Sequence, residues 1–270
     1  MPELPEVEVT RRLIAASLEG GLIDEVEIRR ERTARRNSGS AEVVDRLTGR
    51  TVERLGRKGK FIAADLDSGE LLVIHLGMSG RLQLADRIEE EAPHTNAVLR
   101  ISGGGEVRFV DPRTFGFIGV FEEIPSLLGP DALDALPDSG GFQALLGRSR
   151  RAIKTVLLDQ AVVAGLGNIY ADEVLWRARV APHRPSADLD SDAAERIRSA
   201  IRPVLEEGIS QGGTSLGDLA YLLPDGRAGE NLGRLAAYGR EGLPCPRCGT
   251  PVIRSMIGQR SAHHCPACQL

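Results

Sequence analysis

Hydrophobic positions near the start of the chain recur at helical spacing. Val9, Leu13, Ile14 and Leu18 share one face of the segment Pro5 to Leu18, which predicts a short amphipathic helix preceded by Pro2, Glu3 and Leu4. From Gly21 to about Phe121 the rhythm changes to alternation and short apolar runs, at 23–28, 61–66, 71–76, 97–101 and 107–110. Turn residues such as Asp67-Ser68-Gly69 and Gly103 to Gly105 separate these runs, so the region reads as a sandwich of two sheets. Pro, Asp, Gly and Ser gather around 125–141 and mark an interdomain linker with room for one turn of helix. Beyond Arg150 the helical period returns in Arg151 to Leu158, Ile169 to Arg179 and Ala193 to Glu207. The third of these carries Ala194, Ile197, Ile201, Val204 and Leu205 on its inner face. Between the first two, Val162 to Asn168 contains Gly165 and Gly167 and reads as a tight non-helical connection.

Composition narrows the class. A chain of 270 residues with 41% apolar and 27% charged positions can bury a full core as one large or two ordinary domains, which excludes disordered and collagen-like readings. Only 4% of residues are aromatic, so the core is expected to be aliphatic. Apolar runs such as Leu71 to Ile74 fall far short of the roughly 20 residues a spanning helix needs. The N-terminus carries Glu3, Glu6 and Glu8 where a signal peptide would be basic, so a cytoplasmic location and no membrane partner are expected.

A net charge of −4 argues mildly against a nucleic-acid partner, but phosphates respond to the local patch. Arg54 to Lys60 holds four cations and no acid, and 236–270 holds four arginines against one glutamate. Acids gather elsewhere, as in 89–91 and 131–138. Net charge alone therefore does not decide the matter.

Cys245, Cys248, Cys265 and Cys268 are the only cysteines, spaced Cys-x2-Cys, sixteen residues, Cys-x2-Cys. Each pair supplies two sulfurs on one tight turn and the intervening segment returns the chain as a hairpin, the spacing of a four-thiolate zinc site. Two disulfides are the alternative, which a cytosolic compartment disfavours. Four protein ligands leave no open position for water, so one zinc would fold the module and take no part in chemistry. His263 and His264 beside Cys265 could compete for metal and are otherwise hairpin residues. The fold class is thus α+β. A helix and β-sandwich occupy 1–128, a linker 129–145, a helical domain 146–236 and a zinc-finger hairpin 237–270.

The N-terminus itself carries candidate chemistry. In Met1-Pro2-Glu3-Leu4-Pro5-Glu6-Val7-Glu8, a small second residue allows removal of the initiator methionine and leaves a secondary amine at the chain end. An α-amino group titrates near ~8 and lysine near ~10.4, so at neutral pH the terminal amine offers about a hundredfold more free base. It is a ready nucleophile for Schiff-base chemistry, and Glu3 could move protons beside it. The plainer reading is an extended tail ahead of a helix.

Six further segments settle which reading applies. They are GRKGKF at 56–61, HLGMSGRL at 75–82, DPRTFG at 111–116, GLGNIYADEVLWRA at 165–178, YGREG at 238–242, and the cysteine hairpin with Gln259-Arg260. With PELPEVE at 2–8, the chain resembles over nearly its full length the formamidopyrimidine-DNA glycosylase family, bacterial enzymes that excise oxidised purines. The resemblance implies a β-sandwich followed by a helical domain with a helix–two-turn–helix and the zinc finger. It further implies a bifunctional base-excision-repair enzyme, an N-glycosyl hydrolase and abasic-site lyase, acting as a monomer on double-stranded DNA with oxidised bases or abasic sites.

The resemblance also assigns roles. Pro2 would attack C1′ of the damaged nucleoside, with Glu3 as acid/base partner and Lys60 near the reacting sugar and phosphate. Arg57 and Lys58 read as phosphate or surface charges. Asn168 would bind phosphate at the second turn of the helix–two-turn–helix, where N–H groups face an anion, and a helix N-cap is its other reading. Arg260 would grip phosphate oxygens at the finger tip. Met78, Arg113 and Phe115 would occupy the gap left by an extruded base, whose unstacking costs a few kcal/mol. Met78 would be an adaptable filler, Arg113 a paired donor to the orphaned cytosine and Phe115 a flat wedge. His94 and Lys154 complete the DNA-contacting set that the resemblance implies.

Three places depart from the family pattern. Gly229-Glu230-Asn231-Leu232 stands where a Gly-aromatic-aromatic stretch is common, within the lesion-covering loop 213–237. The finger tip reads Ser261-Ala262-His263-His264 where aromatics are usual, and Asn96 replaces a second histidine near His94. Two alternatives stay open. One is the endonuclease VIII type, with the same chemistry on oxidised pyrimidines. The other is a non-catalytic DNA-binding zinc protein, which would bind irregular DNA without a borohydride-trappable intermediate.

Overall fold

The computed structural model describes residues 2–217 and 221–270. Met1, whose removal the terminal-amine reading requires, lies outside them, as do residues 218–220 of the loop 213–237. The chain divides into two units, Met1–Ser126 with Gln211–Glu230, and Leu127–Ser210 with Asn231–Leu270.

In the first unit α1 (Leu4–Leu18) starts at Glu3, an extended N-cap residue in a reciprocal capping box with Glu6, followed by Pro5 in the first turn. The strands that follow are β1 (Ile23–Ile28), β2 (Val52–Lys58), β3 (Phe61–Leu66), β4 (Leu71–His75), β5 (Arg81–Asp86), β6 (Thr95–Ile101), β7 (Gly105–Val110) and β8 (Phe117–Phe121). A short helix, α2 (Ser40–Leu47), lies between β1 and β2. The strands form two four-stranded sheets, β1-β6-β7-β5 and β2-β3-β4-β8, with every neighbouring pair antiparallel. Alternation decides which side chains go inward: on β3, Ile62, Ala64 and Leu66 are buried and their neighbours are not. Both sheets, α1 and α2 contribute to one core cluster, in which Phe109 is the only aromatic ring among the described residues. Truncating a side chain such as Ile62 to alanine inside it costs about 2–5 kcal/mol.

The second unit holds α3 (Ser139–Gly147), α4 (Ile153–Leu158), α5 (Asn168–Ala178), α6 (Ser191–Ser210) and the hairpin β9 (Ile253–Ile257) with β10 (Arg260–His264). Part of the expected linker is therefore helix, because Asp138 caps α3 by accepting from the Gly141 N–H at 2.8 Å. All five residues expected on the inner face of α6 are buried. Gln211–Glu230, which the sequence pattern places in the helical domain, belongs to the first unit. The Leu84 N–H donates to the Pro224 carbonyl at 2.9 Å and holds it there.

Candidate functional site

Within the first unit the N-terminal pair is immobilised. Pro2 is buried and Glu3 is 1% exposed. The Glu3 N–H donates to Glu6 Oε2 at 2.8 Å, while Glu6 Oε1 accepts from the Thr214 N–H at 2.7 Å. Glu6 thus ties the start of α1 to the base of the loop 213–237. Tyr221 closes the same corner, its hydroxyl donating to the Gly212 carbonyl at 3.2 Å. Burial and the nearby Glu6 charge hold the Tyr221 phenol far above its ordinary range, so it stays protonated.

Lys60 occupies the two-residue turn between β2 and β3, where Gly59 takes the positive φ (57°) that a tight hairpin demands. Its side chain lies mostly inside, 8% exposed. Beside it on β4, His75 stacks on Phe117 with ring centroids 5.8 Å apart. Burial, then the charges of Lys60, Arg35 and Arg36, push the His75 imidazole down to about 4, so it is neutral at pH 7. Its Nδ1 accepts from the Gly77 N–H at 3.2 Å, which leaves the proton on Nε2.

Arg57 corrects the expectation of a surface or phosphate charge. Its side chain is 1% exposed and pairs with Glu8 Oε2 at 3.1 Å, while Lys58 is exposed as expected. Burial would raise the Glu8 carboxyl, but hydrogen bonds from Arg11 and Arg12 and the Arg57 charge outweigh it and hold Glu8 at about 2. Met78 is half-buried, His94 and Arg113 are exposed, and Phe115 is 39% exposed. The Arg113 guanidinium lies 4.8 Å from the Phe115 ring centre, a cation–π pairing of two of the three expected gap-filling side chains.

The second unit assembles its own set. Asn168 is the first residue of α5 and Gly167 holds the cap position, so the N-cap reading of Asn168 gives way. Its Nδ2 donates to Ser261 Oγ at 3.2 Å, and its buried Oδ1 has no hydrogen-bond partner. Gly258 and Gln259 both adopt positive φ (55° and 62°), which makes the two-residue turn joining β9 to β10 and sets Arg260 just past it. Arg260 is exposed there, directly opposite Ile257 in the strand pairing.

Lys154 corrects the expectation of a DNA contact. Its ammonium is fully buried, donating to Asp172 Oδ1 at 2.6 Å and to the Ser261 carbonyl. The other Asp172 oxygen accepts from the His263 N–H at 2.9 Å and lies 3.1 Å from His263 Nδ1. Lys154 and Asp172 therefore fasten the finger hairpin to α4 and α5. His263 is a hairpin residue on this lock and not a metal ligand.

The four cysteine Sγ atoms lie within 4.8 Å of one another and are unbridged, which sets aside the two-disulfide alternative. A tetrahedral zinc with Zn–S bonds of about 2.3 Å spaces its sulfurs about 3.8 Å apart, so the cluster fits that ion. The Trp176 indole N–H donates to Cys245 Sγ at 3.4 Å, the kind of outer hydrogen bond that balances thiolate charge.

The sequence reading passed over Glu6, Asp111, Asp172 and Glu173, all buried and all accepting backbone N–H groups. Glu173 accepts from Ala236, Ala237 and Tyr238 and so shapes the start of YGREG. Its burial raises the carboxyl pKa despite those donors. The available signal was an acid at an inward helical position, as Glu173 is between Ala171 and Val174.

Three family models match the chain. The formamidopyrimidine-DNA glycosylase N-terminal domain matches residues 1–118, the H2TH domain of the same enzyme 128–219, and a zinc finger found in FPG and IleRS 242–270. A relative from Thermus thermophilus, called formamidopyrimidine-DNA glycosylase, is 44% identical over 276 residues, covering 100% of this chain and 98% of its own. The crystal structure of the MutM (FPG) protein from that organism superposes with a TM-score of 0.89 at 41% identity, covering 99% of this chain and 98% of its own. A Lactococcus lactis FPG mutant bound to Fapy-dG-containing DNA superposes with a TM-score of 0.91 at 30% identity, covering 99% of each chain.

Proposed function

Because this chain belongs to the formamidopyrimidine-DNA glycosylase family, we propose that it is a bifunctional DNA glycosylase and abasic-site lyase of base excision repair, directed to oxidised purines. Pro2, its amine freed by loss of Met1, attacks C1′ of the damaged nucleoside. The C1′–N bond breaks and the base departs with a proton. The C1′–O4′ bond then breaks, O4′ takes up a proton, and the opened sugar is left as an iminium ion on Pro2. Loss of a C2′ proton then breaks the C3′–O bond by β-elimination. A second elimination breaks the C5′–O bond and leaves a one-nucleoside gap. Glu3 moves the protons, Lys60, Asn168 and Arg260 hold the sugar–phosphate, and Met78, Arg113 and Phe115 fill the vacated stack.

The observation that carries this reading is Glu3, 1% exposed and locked by the Glu6 cap one residue from the amine. A carboxylate fixed there is costly to bury and gains its use from a proton transfer beside Pro2. The Lactococcus relative's complex with Fapy-dG DNA supports the substrate class. One zinc, held by Cys245, Cys248, Cys265 and Cys268, supplies folding energy for the finger and leaves the reaction to the side chains. The enzyme works as a monomer, in the cytoplasm, on double-stranded DNA.

Borohydride trapping on a duplex with 8-oxoguanine opposite cytosine tests the proposal. A covalent adduct at the mass of the chain lacking Met1 is expected, and Pro2→Gly abolishes it. A Pro2→Gly protein that cross-links and nicks like wild type, or active protein retaining Met1, sinks the assignment. Faster excision of thymine glycol than of 8-oxoguanine would favour the pyrimidine-directed alternative.

A further inference from the structure

Asp111 is fully buried just past the end of β7 and touches three chain segments at once. Its Oδ1 accepts from Ser79 Oγ at 2.7 Å and lies 3.3 Å from the Arg113 N–H, while Oδ2 accepts from the Gly116 N–H at 2.8 Å. Its carbonyl accepts from Asn96 Nδ2 at 2.7 Å, and its N–H donates to the His94 carbonyl at 3.1 Å. The segments so joined carry Met78, His94, Arg113 and Phe115. Asn96, one of the departures from the family pattern, is part of the same junction.

The two loops also meet backbone to backbone. Gly77 sits at φ +67, and a Cβ there would lie 2.4 Å from the Gly116 nitrogen and 2.5 Å from the Phe115 carbonyl carbon. From the outer side Arg32 donates to the Thr114 carbonyl at 3.1 Å and Arg35 to the Phe115 carbonyl at 2.7 Å. Thr114 is held at a positive φ of 54°, which a β-branched residue adopts only when its surroundings impose it. The loop 111–116 is therefore clamped on both sides, and the inner clamp is one carboxylate.

We propose that Asp111 is a positioning residue that holds the Met78 loop and the Arg113–Phe115 loop in a single register, and so sets how fully these side chains offset the cost of extruding a base. The inference rests on the reading that Met78, Arg113 and Phe115 fill the gap. Asp111 itself touches no substrate. Both its oxygens face N–H or O–H donors, and only the Ser79 hydroxyl can reverse to accept. Asp111→Asn keeps the shape, yet either amide orientation sets its NH2 against a backbone N–H.

The test compares two rates on one duplex sequence, excision of 8-oxoguanine opposite cytosine and nicking at a preformed abasic site, where no base has to be extruded. Asp111→Asn is expected to lower the ratio of excision to nicking by at least about tenfold, and Ser79→Ala, which removes only the link between the loops, by about threefold or more. The triple variant Met78→Ala/Arg113→Ala/Phe115→Ala is the reference and lowers the ratio on its own. If the triple variant keeps the wild-type ratio, the gap-filling reading fails and this inference with it. If the triple variant lowers the ratio while Asp111→Asn and Ser79→Ala do not, the positioning role alone is overturned. Equal loss of both activities in Asp111→Asn overturns it too, since that is what general unfolding produces. Should Asp111→Asn fail to fold, Ser79→Ala decides by the same comparison.

Discussion

Asp172 offers a sharp test of how the second unit is held together. In Asp172→Ala, the Lys154 ammonium loses its buried counter-charge and the His263 N–H loses its acceptor. Removing one partner of a buried ion pair costs about 3–5 kcal/mol, because the remaining charge stays without compensation. An unpaired buried N–H has a penalty of about 1–3 kcal/mol on its own, but the two overlap at a site that can relax, so a total near ~4 kcal/mol is expected. Lys154→Met should cost less, about 2 kcal/mol, since Asp172 keeps both His263 contacts after the ammonium is gone. Trp176 is the only tryptophan in the chain and stands on α5, so its emission follows this unit during a urea titration of zinc-loaded protein. The expected order of midpoints is wild type, then Lys154→Met, then Asp172→Ala. A loss below about 1 kcal/mol in Asp172→Ala would refute the buried lock, and equal losses in the two variants would refute its asymmetry.

Two other expectations follow from the geometry. Glu8 is held at about 2 in the folded chain against an ordinary 4.5, so the stability it contributes is fully present above pH 4.5 and is lost as pH falls toward 2. Glu8→Gln should cost about 1–2 kcal/mol at pH 7 after solvent screening, with the gap to wild type closing between pH 4.5 and 2 in acid-denaturation curves. Metal analysis of purified protein should find one zinc per chain. Chelation should release it and abolish DNA binding in a gel-shift assay while the β-sheet circular dichroism persists, and binding that survives chelation would contradict a folding role for the metal.

Much of the fold was readable because period and burial coincide. β1 and β3 have the expected bounds, since their buried apolar residues run between clear turn signals, Gly20-Gly21 ahead of β1 and Asp67-Ser68-Gly69 after β3. β2 escaped notice because Val52 and Leu55 are its only buried apolar residues and the rest of its letters are charged or Gly, as on an edge strand. α2 escaped because two turns with Val43, Val44 and Leu47 are too brief for a helical period to stand out. Spacing located the cysteine cluster, while Lys60, Asn168 and Arg260 were named from motif order alone. What the letters do not carry is depth. Arg57 and Lys154 look like any surface cation in sequence, yet both are buried against carboxylates from elsewhere in the chain. Depth is equally hidden for Asp111 and Glu6, which accept from backbone N–H groups that have no residue-specific signature.

The placement of Gln211–Glu230 has a consequence for how this protein can be taken apart. The polypeptide passes between the two units three times, after Ser126, Ser210 and Glu230. Cutting at the first passage takes the Thr214 amide away from Glu6, so an N-terminal fragment ending there carries an uncovered corner at the start of α1. Modular exchange with relatives, or expression of either half alone, has to respect this interleaving: the first unit becomes a portable cassette only when its distant twenty-residue piece is grafted back beside helix α1.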